Sequence, residues 1–138
     1  MSQSSATYAS MSAGEAEAFV SQFLASWRVR DLEHIVSFFA EDAVYHNVPV
    51  APIAGLAAIR GIFKAFLDAF SDASLDIVAI AATPDLVLAE RIDRFTLNDG
   101  RKVILPVTGC FVIHDRKIVR FSDYFDLGSF ERQSGLKL

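Results

Sequence analysis

The spacing of the apolar residues changes near residue 71, from a helical period of about 3.6 to a strand period of 2. Ser12 and Glu15 match the capping box, in which each side chain satisfies the other residue's free backbone N–H group, so a first helix begins there. Asp31 is placed to cap a second, short helix over LEHIVSFFA. Residues 56–70 predict a third helix, which carries an apolar stripe that includes Phe66 and Phe70.

Four strands are predicted over residues 74–82, 85–97, 101–113 and 117–127. The turn Asn98-Asp99-Gly100 is a strong hairpin signal, and His114-Asp115-Arg116 is a weaker one. The earlier stretch EDAVYHNVPV predicts an extended segment. Helices followed by an antiparallel sheet indicate the α+β class, with the helices packed on one sheet face. A curved sheet closed by helices into a cone with an internal pocket fits this order, and a flat two-layer sandwich is the alternative.

The length favours one domain, which we expect to span residues 12–130 between a disordered N-terminal tail, 1–11, and a C-terminal tail, 131–138. Hydrophobic residues make up 52% of the chain and 12 residues are Phe, which is more than a minimal core needs. Part of this aromatic content should therefore line a cavity or an oligomer interface.

Several classes of function are disfavoured by charge and composition. The formal net charge of −4 carries no signature of binding to nucleic acid or to an anionic membrane. No apolar run approaches the ~20 residues that span a bilayer, and MSQSSATYAS lacks the regions of a signal peptide. We therefore expect a soluble, cytoplasmic protein. The three histidines lack metal-ligand spacing, so neither a metal nor another cofactor is expected.

An ion pair on an apolar strand face is the first sign of a functional site. Arg91 and Asp93 alternate onto the same face as Phe95. If the first hairpin centres on the middle residue of its turn, Arg91 lies opposite Val107 and Asp93 lies opposite Leu105. A plain salt bridge on a solvated face is the alternative for this pair taken alone.

A second carboxylate is expected to join that face. If the second hairpin also centres on its middle turn residue, Asp123 lies opposite Val107 and Phe125 lies opposite Leu105. Phe121 and Phe125 then flank Asp123, which argues against its exposure. A bulge of one residue would reverse the face.

Two acids and one Arg among apolar side chains form a costly charged group unless they pair. The Arg91 guanidinium is long enough to bridge Asp93 and Asp123. Charge balance then favours one ionised and one protonated carboxyl, which is how one site supplies a base and an acid near neutral pH. Tyr45 and Asn47 alternate onto one face and could hold a water molecule facing this group.

The stretches EDAVYHNVP, ERIDRF, LPVTGCF and FSDYFD resemble the limonene-1,2-epoxide hydrolase family. This family lies within the nuclear transport factor 2-like superfamily, which also includes ketosteroid isomerases and polyketide cyclases. The resemblance runs from about Glu15 to Phe130. It implies a curved mixed sheet, a deep apolar pocket and a homodimer.

The resemblance also implies a role for each polar residue. Asp123 would be the general base that deprotonates water, and Tyr45 and Asn47 would hold that water. Asp93 would be the general acid that protonates the epoxide oxygen, and Arg91 would link the two carboxylates. Water would attack directly, with no covalent ester to the enzyme.

The expected substrate is a lipophilic epoxide of terpene, steroid or fatty type, hydrated to a vicinal diol without a cofactor. The residues expected to contact it are Trp27, Phe66, Phe70, Phe95, Leu105, Val107, Phe121 and Phe125. The limonene enzymes tend to have Trp where this chain has Phe121, which leaves the substrate open. The alternatives are an isomerase or polyketide cyclase of the same fold, or a non-catalytic dimer that binds a hydrophobic ligand.

Overall fold

A computed structural model of the protein describes residues 10–138. The helices are α1 (Ala13–Ser26), α2 (Leu32–Val36), α3 (Leu56–Ala69) and α4 (Leu127–Ser134). The strands are β1 (Phe39–Asn47), β2 (Ile53–Ala54), β3 (Phe70–Ala82), β4 (Leu86–Leu97), β5 (Lys102–His114) and β6 (Lys117–Tyr124). The α+β class is confirmed.

The predicted helix starts are confirmed by side-chain hydrogen bonds. The Ser12 backbone N–H donates to Glu15 Oε1 at 2.9 Å, and the Glu15 N–H donates to Ser12 Oγ at 3.0 Å. Asp31 caps α2 by accepting from the backbone N–H of His34 at 3.3 Å. Each bond satisfies a donor that a helix terminus leaves without an intrahelical acceptor.

The two expected tails fare differently in the structure. The N-terminal one, 1–11, lies mostly outside the described residues, although Met11 is buried in the core. The prediction of a C-terminal tail over 131–138 is wrong for its first half, because α4 continues to Ser134. Asp126 caps this helix by accepting from the Ser129 N–H, and Phe130 is packed into the core. Helix α4 is only 8 residues long and mostly polar, so its few apolar residues show no clear helical period in the sequence.

The six strands form one curved, mixed sheet in the order β2-β1-β6-β5-β4-β3. All neighbours are antiparallel except β1 and β6, which run parallel. Helix α1 packs against β3, and α3 packs against β1. The helices therefore cover one face of the sheet, and the flat two-layer alternative is not observed.

Two strand boundaries differ from the prediction by more than one residue. β3 begins at Phe70, directly after α3, because the last apolar residue of the helical stripe is already extended. β6 ends at Tyr124, since Asp126 is needed as the cap of α4. Both differences are at element ends, where local pattern carries the least information.

The register of the first hairpin is confirmed, and that of the second is wrong by two residues. Arg91 pairs with Val107 and Asp93 with Leu105, as predicted. Asp123, however, lies opposite Gly109. One residue of this shift comes from a two-residue turn at Asp115 and Arg116, and the other from a bulge after residue 112. Because side chains alternate, two one-residue shifts restore the original face, whereas either one alone would reverse it.

The second hairpin also changes the environment of Phe125. The prediction placed this residue in β6 opposite Leu105, but it lies beyond the end of the strand. The turn of the second hairpin is of the two-residue kind in which both residues have positive φ, here 49° at Asp115 and 60° at Arg116. Such a turn is typical of Asn and Gly, so the sequence Asp-Arg did not indicate it.

Among residues 10–138, no helix is both long and apolar enough to cross a membrane.

Candidate active site

A cavity lies between the helices and the concave face of the sheet, enclosing about 700 Å³ of space that is partly open to solvent. All five polar residues predicted for the site line it, and so do all eight predicted apolar residues. The apolar ones come from nearly every element around it: Trp27 after α1, Phe66 in α3, Phe70 in β3, Phe95 in β4, Leu105 and Val107 in β5, Phe121 in β6, and Phe125 after β6. The placement agrees with the sequence analysis, while the role of each residue remains a prediction.

The centre of the polar group is the Arg91 guanidinium, whose residue is only 1% exposed. Its Nε and Nη2 donate to the two carboxylate oxygens of Asp93, at 2.9 and 2.8 Å. Its Nη1 and Nη2 donate to the two oxygens of Asp123, at 2.9 and 3.0 Å. One guanidinium therefore holds both acids by paired, charge-assisted hydrogen bonds. The predicted bridge between the two carboxylates is present in the structure.

Gly109 makes room for this arrangement and was missed by the sequence analysis. It lies directly opposite Asp123 in the β5–β6 ladder and opposite Ala89 in the β4–β5 ladder. With no side chain at this position, Arg91 can extend across β5 from β4 to reach Asp123 on β6. A glycine inside a strand, here in LPVTGCF, is itself a signal of a close approach at that point.

The ionisation of the group follows from its burial. Burial raises the pKa of Asp93 to about 6, and the negative charge of Asp123 adds to the rise. The hydrogen bonds and the charge of Arg91 oppose it but are outweighed. Burial alone lowers the pKa of Arg91, but the charges and hydrogen bonds of the two acids outweigh it, so its pKa is raised and it stays cationic. Asp93 is therefore a carboxyl that can carry a proton near neutral pH.

Tyr45 and Asn47 lie beside Asp123 because β1 runs parallel to β6. In that register Tyr45 pairs with Phe121, and Asn47 pairs with Asp123. The Tyr45 hydroxyl donates to Asn47 Oδ1 at 2.9 Å. Burial raises the pKa of Tyr45 well above its ordinary value, helped by the charge of Asp123, so the phenol stays protonated as a donor.

The Tyr45–Asn47 bond determines which polar atoms are left for a ligand. The amide oxygen of Asn47 is occupied, so its Nδ2 group remains as a donor. The phenol oxygen has used its proton and keeps lone pairs that can accept. Together with a carboxylate of Asp123, these atoms offer one donor and two acceptors, which matches the bonding capacity of a water molecule.

Further cavity residues were not predicted, among them Arg30 in the turn between α1 and α2 and Leu67 in α3. No local pattern marks Arg30 as a cavity residue, because its side chain crosses to α3 to reach Leu67. Among the described residues, no group of three or more His, Cys, Asp and Glu side chains is arranged to hold a metal ion.

The fold and the cavity define a protein of the nuclear transport factor 2-like class, a fold family that binds small hydrophobic ligands. Residues 20–121 match the sequence profile described as the SnoaL-like domain, so the chain belongs to the SnoaL-like domain family. This family contains enzymes, including an epoxide hydrolase and polyketide cyclases.

Solved structures with the same architecture include several kinds of protein. An LEH-like epoxide hydrolase from M. tuberculosis is 25% identical, with a TM-score of 0.78 over 88% of this chain and 90% of that chain. A candidate polyketide cyclase from Xanthomonas campestris is 20% identical, with a TM-score of 0.79 over 86% of this chain and 96% of that chain. A hypothetical protein of ketosteroid isomerase-like fold from Catenulispora acidiphila, in complex with trimethylamine, is 21% identical, with a TM-score of 0.75 over 86% of this chain and 92% of that chain. The last two show a common fold and nothing about chemistry.

Proposed function

We propose that the protein is a cofactor-independent epoxide hydrolase of the limonene-1,2-epoxide hydrolase type, which adds water to a lipophilic epoxide in one step. The observation that carries the proposal is the double pairing of Arg91 with Asp93 and Asp123 inside an apolar cavity. Opening an epoxide requires a nucleophile at carbon and a proton at oxygen in the same transition state. A buried acid and a buried base connected by one cation can supply both.

In the proposed reaction, Asp123 accepts a proton from a water molecule held by Asn47 Nδ2 and the Tyr45 oxygen. The water oxygen forms a bond to one epoxide carbon while the bond between that carbon and the ring oxygen breaks. Asp93 gives its proton to the departing oxygen, and the product is a vicinal diol. The cycle leaves Asp123 protonated and Asp93 ionised, so one proton must return from Asp123 to Asp93, directly or through solvent.

The same residues support a hydrolase over the other activities of the fold. An isomerase needs one carboxylate base and neutral donors that stabilise an oxyanion. Such donors include Tyr and protonated Asp side chains, but no guanidinium needs to join them to the base, whereas here one guanidinium holds two carboxyls at equivalent distances. The M. tuberculosis structure described as an LEH-like epoxide hydrolase, at 25% identity, is a further argument for this choice.

The first test is diol formation from a panel of terpene, steroid and fatty epoxides. Wild type should turn over at least one of them, and Asp123→Asn should lose activity by about 10²–10⁴-fold, the usual contribution of a general base. Asp72→Asn is the matched control, because Asp72 is an exposed carboxylate of β3 outside the cavity. Activity retained in Asp123→Asn would move the base elsewhere, and an inactive wild type would favour an isomerase, a cyclase or a ligand carrier.

The one-step course is tested separately in water enriched in oxygen-18. During a single turnover the label should appear in the diol. A label that appears first in a carboxyl group of the protein would show a covalent ester and contradict direct attack by water.

We also propose that the protein is a homodimer. The sheet face opposite the cavity exposes large apolar side chains, including Leu88, Ile104 and Tyr124 at 46, 55 and 50%. Isolated apolar side chains are common at surfaces, but a group on one sheet face is typical of an interaction site. Sedimentation equilibrium should give twice the chain mass, and a monomer at micromolar concentration would contradict the proposal.

A further inference from the structure

The cavity holds two hydrogen-bond donors that the acid–base group does not use. They are Nε1 of Trp27 and Nη1 of Arg30, and both atoms are buried without an acceptor among the described residues. Both residues line the cavity, and Trp27 is only 7% exposed. Buried polar groups in native proteins are almost always bonded, so two unpaired donors in one cavity wall call for a ligand that accepts.

The Arg30 side chain is held in position at the wall. Its Nη2 donates to the backbone oxygen of Leu67 at 2.6 Å, which fixes the guanidinium against α3 and leaves Nη1 unpaired. The backbone at Arg30 has a φ of 64°, a left-handed conformation that long side chains seldom adopt. The turn between α1 and α2 therefore holds Arg30 in an unfavourable conformation that directs its side chain toward the cavity.

The charge of Arg30 is also unmatched. Arg91, the other cavity arginine, is paired with two carboxylates. Arg30 takes part in none of the ion pairs formed within residues 10–138. An indole N–H and a guanidinium N–H can only donate. The group that complements them is an acceptor, and the excess positive charge favours an anionic one over a neutral one.

The position of this pair relates it to the proposed reaction. The ring of Phe63 lies 5.0 Å from that of Trp27 and 5.1 Å from that of Tyr45. The indole and the Tyr45 phenol therefore pack on the same buried Phe63 ring, and both line the cavity. A ligand that spans them carries its anionic end near Trp27 and its reacting carbon near Tyr45.

We propose that Trp27 and Arg30 form a carboxylate-binding subsite, and that the substrate is a lipophilic epoxide bearing a carboxylate. The epoxide group in this inference rests on the proposed function, whereas the binding of a lipophilic carboxylate can be tested by itself. A carboxylate at this subsite would accept from Nε1 of Trp27 and Nη1 of Arg30. Its apolar body would lie along the Phe and Leu side chains of the cavity.

The experiment is calorimetric titration with decanoate, and with decanol and 2-decanone as neutral probes of the same chain length. Decanoate should bind wild type at least tenfold more tightly than either neutral probe. Arg30→Gln should remove that preference, with a loss of affinity at least tenfold larger for decanoate than for decanol. Arg28→Gln is the matched control, because Arg28 is an exposed arginine two residues earlier that pairs with Asp76.

A second variant keeps the test valid if Arg30→Gln does not fold. Trp27→Phe retains an aromatic ring and removes the indole donor, so it should weaken decanoate binding severalfold more than it weakens decanol binding. Equal affinities of wild type for the three probes, absence of binding, or a preference that survives both variants would overturn the subsite.

The outcomes also separate this inference from the proposed function. A protein that prefers decanoate but hydrolyses no epoxide would retain the subsite and lose the hydrolase. A protein that hydrolyses neutral epoxides with no preference for decanoate would retain the hydrolase and lose the subsite.

Discussion

A methyl group on Gly109 would lie 2.5 Å from Nη1 of Arg91, closer than a Cβ atom and a nitrogen approach without one of them moving. The same methyl group would lie 2.9 Å from Oδ1 of Asp123. Arg91 cannot move freely, because four hydrogen bonds hold its guanidinium to two carboxylates. The absence of a side chain at Gly109 is therefore a condition for the pairing of Arg91 with both Asp93 and Asp123.

Replacing Gly109 by Ala should separate Arg91 from Asp123. A displacement of about 1 Å in such a group can lower the rate by roughly 10²-fold, so we expect a loss of that order in kcat/KM for the epoxide that wild type hydrolyses. Gly61→Ala is the matched control, since a methyl group at this α3 position meets no atom within 4 Å. Equal activity of the two variants would contradict this role of Gly109.

Removing the shared cation should destabilise the protein. Arg91→Met would leave two buried carboxyl groups without their partner, and breaking a buried ion pair in this way costs about 3–5 kcal/mol in the free energy of unfolding. Arg94→Met is the control, because Arg94 pairs with Asp76 while half-exposed, where such pairs contribute less than about 1 kcal/mol. Urea denaturation measures both values, and similar losses would contradict the burial argument.

The raised pKa of Asp93 predicts a pH dependence of activity. A general acid must be protonated, so kcat/KM should fall as the pH rises through about 6, the pKa of this group in the folded protein. The rate should be measured from pH 5 to 9 in wild type and in Asp68→Asn, whose removed carboxylate is on the surface. The fall of kcat/KM with rising pH should be the same in both proteins. A flat profile between pH 5 and 8 would exclude Asp93 as the acid.

The same shift affects stability in a defined direction. Asp93 has a higher pKa folded, about 6, than its ordinary value of 3.8, so the folded state binds the proton more tightly. Its contribution to the free energy of unfolding is fully present below pH 3.8 and is lost as the pH rises through about 6. Carboxyl-detected NMR titration of Asp93 tests the cause directly, and a midpoint near 4 would contradict it.

The hydroxyl of Tyr45 should matter in two ways, because its oxygen holds the proposed water and its proton orients Asn47. In Tyr45→Phe the amide of Asn47 loses the donor that orients it, so the water is held less well. The loss of each hydrogen bond of about 1 kcal/mol corresponds to roughly a fivefold fall in kcat, with KM little changed. Tyr124→Phe is the control, because Tyr124 lies outside the cavity on the opposite sheet face and Phe keeps the ring that the proposed dimer would bury. A change in Tyr45→Phe no larger than in the control would contradict the positioning role.

Much of the site could be inferred from local patterns. Strand alternation put Arg91 and Asp93 on one face, and the Asn-Asp-Gly turn set their register against β5 correctly. Alternation also put Tyr45 and Asn47 on one face of β1. These relationships involve residues close in sequence or joined by one turn of well-known geometry.

The errors have a different origin. The register of β6 depended on a two-residue turn and on a bulge. Asp115 and Arg116 are not typical of such a turn, and no sequence pattern indicated the bulge. Asp123 was still placed on the correct face because two one-residue shifts cancel. Arg30 was missed because its contact with Leu67 joins residues 37 positions apart.

The amino-acid sequence by itself determined the α+β class, the caps of α1 and α2, the first hairpin and the strand face that carries Arg91 and Asp93, because each follows from local periodicity and turn chemistry. Only the tertiary structure decided that Asn47 lies beside Asp123, that Gly109 clears the path of Arg91, and that Trp27 and Arg30 border the same cavity. Parallel pairing of β1 with β6 and packing of the helices over the sheet join distant segments, and no local pattern encodes which residues then meet.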